Sequence, residues 1–134
     1  MKLDVRIAED DTYNILGASD FAIVASGTAT LETAIVGTPL VIVYKANLIT
    51  YLLYKIVSDI KFLGIVNIIA GKEVAPEFLQ FRMTPENIAA TVVELIRDKE
   101  RLAAMRDELS RVKSSLGFPG ASLRAAKSIL PLLQ

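Results

Sequence analysis

Residues 20–44, DFAIVASGTATLETAIVGTPLVIVY, hold two short apolar runs with a helix-length segment between them. A small-residue turn marks each change of character. The first run, Phe21 to Ala25, is continuous and partly β-branched, as a strand buried on both faces of a parallel sheet is. Ser26-Gly27-Thr28 then interrupts it. Thr28 to Val36 has helical character: Leu31, Ala34 and Ile35 share a face, and Gly37 stands where a helix takes its C-terminal cap. Thr38-Pro39 opens the second run, Leu40 to Tyr44. Strand, helix and strand in so short a stretch leave little room for anything but a βαβ unit, whose crossover is right-handed by default.

The remaining segments fit around this unit. LDVRI, residues 3–7, alternates apolar and polar positions as an edge strand does. DDTYNILGAS predicts a short helix, with Asp and Thr as N-caps and Gly17 as its stop. NLITYLLYKIV, residues 47–57, predicts a helix by its length. FLGIVNIIAG, residues 62–71, is short and β-branched and predicts a strand ending in a Gly71 turn. TPENIAATVVELIRD starts a helix with Thr84 as N-cap, Pro85 in the first turn and Glu86 where the helix dipole favours an anion. Leu102, Met105 and Leu109 mark an amphipathic helix from about Asp98 to Leu116. GFPG breaks the chain, and Ala121 to Leu133 predicts a last helix. The expected architecture is α/β: one domain, residues 1–134, with a Rossmann-like parallel sheet flanked by helices and a helical C-terminal tail.

Composition removes several kinds of chemistry. The chain has no Cys and no His, which excludes thiolate nucleophiles, disulfides, Ser-His triads and zinc held by those residues. Acid–base work must fall to Asp, Glu, Lys or Tyr. The formal net charge is +0, so no nucleic-acid partner is expected. Apolar residues reach 52% and mean hydropathy is +0.43, so some apolar surface is expected to meet a partner, a missing domain or a membrane. Lys55, Asp59 and Lys61 interrupt the most apolar stretch, which argues against a spanning helix but leaves a surface-lying one open. The acidic start lacks the apolar core of a signal peptide.

In open α/β sheets, ligands bind beyond the carboxyl ends of the strands. Ser26-Gly27-Thr28 is expected at such an end. Gly27 lets a ligand approach the backbone, and the helix opening at Thr28 presents unpaired N–H groups and a positive dipole end. Ser26 and Thr28 add hydroxyls. Glu32 follows Thr28 by one helical turn, on the same face. A carboxylate there does not hold phosphate, but it can accept two hydroxyl protons from a ribose. Phosphate at the turn and sugar at the carboxylate describe a nucleotide. The same string also serves as a plain helix cap with a solvated Glu, and it is neither GxGxxG nor a P-loop.

The strings ASGTATLETAIVGTPLVIVYKANLITYLLYKIV and VNIIAGKEVAPEFLQ, with PENIAATVVELIRD and GASLRAAKSIL after them, resemble the C-terminal half of lipid-A-disaccharide synthases, from about Thr12 onward. Where the family usually has Pro-Asn-x-x-Ala-Gly-Arg, this chain has Val66-Asn67-Ile68-Ile69-Ala70-Gly71-Lys72. Lys72 keeps the charge of Arg but not its bidentate geometry. KANLITYLL also lacks a Pro that the resemblance leads one to expect.

The resemblance implies a GT-B glycosyltransferase that moves 2,3-diacylglucosamine from UDP to 2,3-diacylglucosamine 1-phosphate in lipid A biosynthesis. It implies that this chain is the UDP-sugar-binding part alone, itself incomplete. The catalytic residues, unidentified here, would lie in a missing N-terminal domain. Ser26, Gly27, Thr28, Glu32, Asn67, Gly71, Lys72 and Gln80 are the expected substrate-binding residues. Glu73 is expected beside Lys72 and Tyr44-Lys45 near the ligand edge, while Tyr51, Leu52, Leu53, Ile56 and Val57 form core or a membrane-facing patch. No cofactor and no metal are expected. The expected partners are the UDP moiety of UDP-2,3-diacylglucosamine, the missing N-terminal domain, a membrane surface and a second copy of the chain. The expected location is cytoplasmic, at the inner face of the bacterial inner membrane. The alternatives are a domain of another GT-B UDP-sugar transferase or epimerase, or a non-catalytic module for membrane association or self-association.

Overall fold

The structure, a computed structural model, describes residues 3–45 and 61–133. The expected helix at 47–57 and the Tyr51–Val57 cluster lie outside these residues.

Three parallel strands form the sheet: β1 (Ala22–Ala25), β2 (Leu40–Tyr44) and β3 (Glu77–Leu79), in the order β1-β2-β3. The β1 and β2 register sets Ala25 beside Val43, and the β2 and β3 register sets Tyr44 beside Leu79. All three carboxyl ends therefore reach the same edge. Helix α2 (Thr28–Val36) makes the β1-to-β2 crossover. Gly37 closes it in the left-handed region at φ 91°, and its N–H donates to the carbonyls of Thr33 and Ala34, as its position after the helix required.

The central strand carries the core: Leu40, Val41 and Ile42 are fully buried. The expectation that β1 is buried on both faces needs correction. Val24 is buried, but Ile23 is 58% exposed. Among the described residues β1 pairs on one side only, so its continuous apolar run marks a strand without marking a central one. The buried stripe of α2 also differs from the expected one, since Thr30, Thr33 and Ala34 face inward and Ile35 is exposed. The Thr30 and Thr33 hydroxyls donate to the Gly27 and Ala29 carbonyls at 2.8 and 2.7 Å, which makes them tolerable inside.

Helix α1 (Thr12–Ala18) precedes β1 and runs through Gly17 rather than stopping there. The Thr38 hydroxyl, at the mouth of β2, donates to the Leu16 carbonyl at 2.7 Å and ties this helix to the sheet. Residues 3–7 form no strand: they are exposed and join no sheet among the described residues. Alternation alone makes a strand only where a neighbour supplies the ladder.

Residues 62–71 also differ from expectation. Their core is a helix, α3 (Ile65–Ala70), with Gly71 as its left-handed C-cap at φ 67°. Just before its start, the Leu63 and Gly64 N–H groups donate to the Glu77 carboxylate of β3, which fixes the chain entering it.

Two helices pack beyond β3. In α4 (Pro85–Arg97) the Thr84 hydroxyl accepts from Asn87 N–H at 3.2 Å, and in α5 (Lys99–Ser115) the Asp98 carboxylate accepts from Arg101 N–H at 3.0 Å. Leu95, Met105, Leu109 and Val112 bring these helices into the core. The tail is α6 (Ala121–Ile129) followed by a 3-10 turn at Leu130–Leu133, where a single helix was expected. No helix among the described residues is long and apolar enough to cross a membrane.

Candidate functional site

The carboxyl edge of the sheet is built from the residues that leave each strand. After β1, the Ser26 N–H donates to the Val43 carbonyl at 3.0 Å and extends the ladder by one residue. Gly27 then turns the chain with φ 151° and ψ −164°, a conformation essentially reserved for glycine. Among the described residues, a Cβ at Gly27 would have no atom within 4 Å. Thr28 begins α2 exposed, and Glu32, half-buried, follows one turn later. Ser26, Gly27, Thr28 and Glu32 thus share one rim.

After β3, Gln80 opens a 3-10 turn, Gln80–Arg82, with φ 50° while 9% exposed. A buried non-glycine residue in the left-handed region is strained, and its carbonyl accepts the Met83 N–H at 3.1 Å to close the turn. At about 4.8 Å per strand, Gln80 lies roughly 10 Å across the edge from Ser26. Tyr44 and Lys45 leave β2 between them.

Asn67 stands elsewhere than expected. It is fully buried, and its amide is spent on protein groups. Its Oδ1 accepts from Val74 N–H at 2.8 Å and from Ala75 N–H at 2.9 Å, while Nδ2 donates to the Ala75 carbonyl at 2.7 Å and to Glu77 Oε1 at 2.9 Å. It staples the chain after α3 to the start of β3 and does not face the rim.

Gly71 and Lys72 are likewise not brought to the Ser26 turn. The six residues of α3 separate them from the Leu63–Gly64 end by about 9 Å. The Lys72 ammonium pairs with Glu108 of α5 at 2.8 Å rather than with Glu73. Glu108 also pairs with Arg111. Its carboxyl is held below the ordinary carboxylate range, first by the Lys72 hydrogen bond and then by the charges of Arg111 and Lys72, against an opposing effect of burial.

Glu77 is the residue that sequence reasoning passed over. Its Oε2 accepts from Leu63 N–H at 2.9 Å, and its Oε1 accepts from Gly64 N–H at 2.9 Å as well as from Asn67. Leu63 in turn offers its carbonyl to the Ser26 hydroxyl at 3.0 Å. The only signal was a carboxylate inside the short apolar run after Pro76.

A family model described as lipid-A-disaccharide synthetase matches residues 1–128. Among curated relatives, a lipid-A-disaccharide synthase of Syntrophus aciditrophicus is 44% identical over 130 residues, covering 97% of this chain and 34% of the relative. One from Sulfurihydrogenibium sp. is 44% identical, covering 94% of this chain and 32% of the relative. One from Anaeromyxobacter sp. strain K is 39% identical, covering 98% and 34%. The chain spans about a third of the length of the curated relatives it matches.

Proposed function

The chain belongs to the lipid-A-disaccharide synthetase family, a family of glycosyltransferases, and on that premise we propose that it is the part of such an enzyme that binds the UDP-sugar donor. The observation that carries this reading is the rim made by Ser26, Gly27, Thr28 and Glu32. A glycine turn leads into a nine-residue helix at the carboxyl edge of a parallel sheet, with a carboxylate one turn further on. Backbone N–H groups and the Thr28 hydroxyl suit a pyrophosphate, and Glu32 suits the ribose hydroxyls. The donor is UDP-2,3-diacylglucosamine and the acceptor 2,3-diacylglucosamine 1-phosphate. Catalytic acid–base residues belong to a further domain of the longer enzyme. Fixed donors at the turn stabilise departing UDP.

In this reading Gln80 borders the far side of the ligand, and Asn67, Gly71 and Lys72 shape the chain behind it. The acylated substrates bring the enzyme to the inner face of the bacterial inner membrane, and the exposed apolar residues serve docking to the longer protein or to a second copy. The relatives' names favour this reading over another GT-B transferase, an epimerase or a non-catalytic module.

The test is an NMR titration of the chain with UDP and 2′-deoxy-UDP. Glu32→Ala should weaken UDP about ten- to a hundredfold, the worth of a hydrogen bond to a charged group, and should nearly abolish discrimination between the two nucleotides. Equal UDP affinity in wild type and Glu32→Ala would remove the ribose role.

A further inference from the structure

We infer that Glu77 is a positioning residue for the Ser26-Gly27-Thr28 turn, acting through the backbone of Leu63 and Gly64; this rests on the UDP reading of that turn. All three described hydrogen bonds of the carboxylate come from neutral donors: the N–H of Leu63, the N–H of Gly64 and the side chain of Asn67. Two adjacent peptide N–H groups on two oxygens fix the orientation of the Leu63–Gly64 segment. That segment presents the Leu63 carbonyl to the Ser26 hydroxyl at 3.0 Å.

The consequence for Ser26 is directional. A hydroxyl has one proton and two lone pairs. With its proton committed to Leu63, Ser26 Oγ turns its lone pairs elsewhere and its rotamer is fixed. The next residue, Gly27, has almost no conformational restriction of its own, so the turn depends on ties at its flanks. Before it, Ser26 is tied twice, by its N–H to Val43 of the sheet and by its hydroxyl to Leu63; after it, Thr30 donates to the Gly27 carbonyl. Glu77 secures the second tie from behind the rim without reaching the ligand.

Packing makes the arrangement unforgiving. A Cβ on Gly64 would stand 2.2 Å from Ile42 Cδ1 and 3.1 Å from Glu77 Oε1, so the segment lies directly against the central strand and the carboxylate. A displacement at Glu77 therefore passes to Leu63 and not into empty space.

The test is a double-mutant cycle on UDP affinity with Ser26→Ala, Glu77→Gln and the pair, read by NMR on the 134-residue chain. Gln keeps the shape but replaces one accepting oxygen with a donor. Each single variant should weaken UDP about tenfold, and the pair no more than either alone, because both break one pathway. Without ligand, Glu77→Gln should shift the Ser26 and Gly27 amide signals, and Ser26→Ala those of Leu63 and Gly64. Should Glu77→Gln not fold, the wild-type chain serves: UDP should then shift the Leu63, Gly64 and Asn67 side-chain amide signals, though none touches ligand. Additive losses, or silent Leu63 and Gly64 signals, overturn the inference and leave UDP binding intact. Absence of UDP binding in wild type overturns the nucleotide reading, and this role with it.

Discussion

The Asn67 amide donates to the Glu77 carboxylate across 2.9 Å, and through that contact the interior of α3 is joined to the first residue of β3. The two side chains together meet five backbone groups: the N–H groups of Leu63, Gly64, Val74 and Ala75, and the Ala75 carbonyl. Such a bracket adds to the packing of Val66 in ordering a short helix, and its members should be sensitive to changes that keep their size.

Asn67→Ala should destabilise the chain by about 2–4 kcal/mol, because it strands the buried Val74 and Ala75 N–H groups. Asn67→Asp keeps both acceptor bonds but loses both donor bonds and sets a second carboxylate against Glu77. Its deficit should grow as pH rises through the carboxylate range. Urea unfolding at several pH values measures both. A loss below about 0.5 kcal/mol for Asn67→Ala, the level of an ordinary surface change, would contradict the bracket.

Gly64→Ala should cost about 1–3 kcal/mol by overpacking against Ile42 Cδ1. Backbone strain plays no part, since Gly64 has φ −76°. Ile42→Val removes that methyl and alone should cost about 0.5–1.5 kcal/mol. Combined, the two should be less destabilising than their sum. Simple additivity in thermal unfolding would show that the clash is relieved elsewhere.

Gly27→Ala tests the rim from the other side. The substitution meets no atom of the described residues, so a stability cost of about 1–3 kcal/mol is expected from the backbone. On binding, it should weaken UDP and 2′-deoxy-UDP alike, since it obstructs phosphate rather than ribose. Selective loss of one nucleotide would place the phosphate away from this turn.

The Lys72–Glu108 pair predicts a pH dependence. The Glu108 pKa is lower in the folded chain than in the unfolded one, so the pair's contribution is complete at neutral pH. It declines as pH falls below the unfolded value of about 4.3 and is lost once pH passes the lowered folded value. The thermal midpoints of wild type and Lys72→Met should therefore differ most near neutrality and converge in acid. A gap that is constant or widens on acidification would refute the assignment.

Incubated with UDP-2,3-diacylglucosamine and the acceptor monosaccharide 1-phosphate, the chain alone should make no disaccharide. It spans about a third of its relatives' length, and the proposed catalytic residues belong to the remainder of the longer enzyme. Detectable product would place the catalytic residues within this chain.

Residues 20–44 were legible because glycine and proline mark their boundaries: Gly27, Gly37 and Pro39 punctuate strand, helix and strand, and the α2 bounds coincide with the reading. The segment from Phe62 to Gly71 was not legible. Its β-branched residues favour a strand, a six-residue helix is too short to show periodicity, and the Glu77 carboxylate that fixes its start comes from the next strand. The same tertiary tie explains Asn67: the resemblance implied a ligand contact there, whereas its partners in the structure include peptide groups seven and eight residues on. Strand β3, at three residues, falls below what alternation can reveal. The rim residues Ser26, Gly27, Thr28 and Glu32 were placed together by sequence because one turn and one helix carry them all.

The hydrogen bonds around Glu77 differ sharply in how much chain they enclose. Asn67 reaches Val74 across seven positions and Glu77 across ten, whereas Ser26 reaches Leu63 across thirty-seven. Closing a short loop sacrifices less chain entropy than closing a long one, and short loops also close sooner. On loop length alone the bracket is the less costly closure and the Ser26 tie the more costly one. Asn67 and Glu77 thus hold a local loop, and the Ser26 bond to Leu63 carries their order to the ligand-facing turn across the β1–α2–β2 crossover.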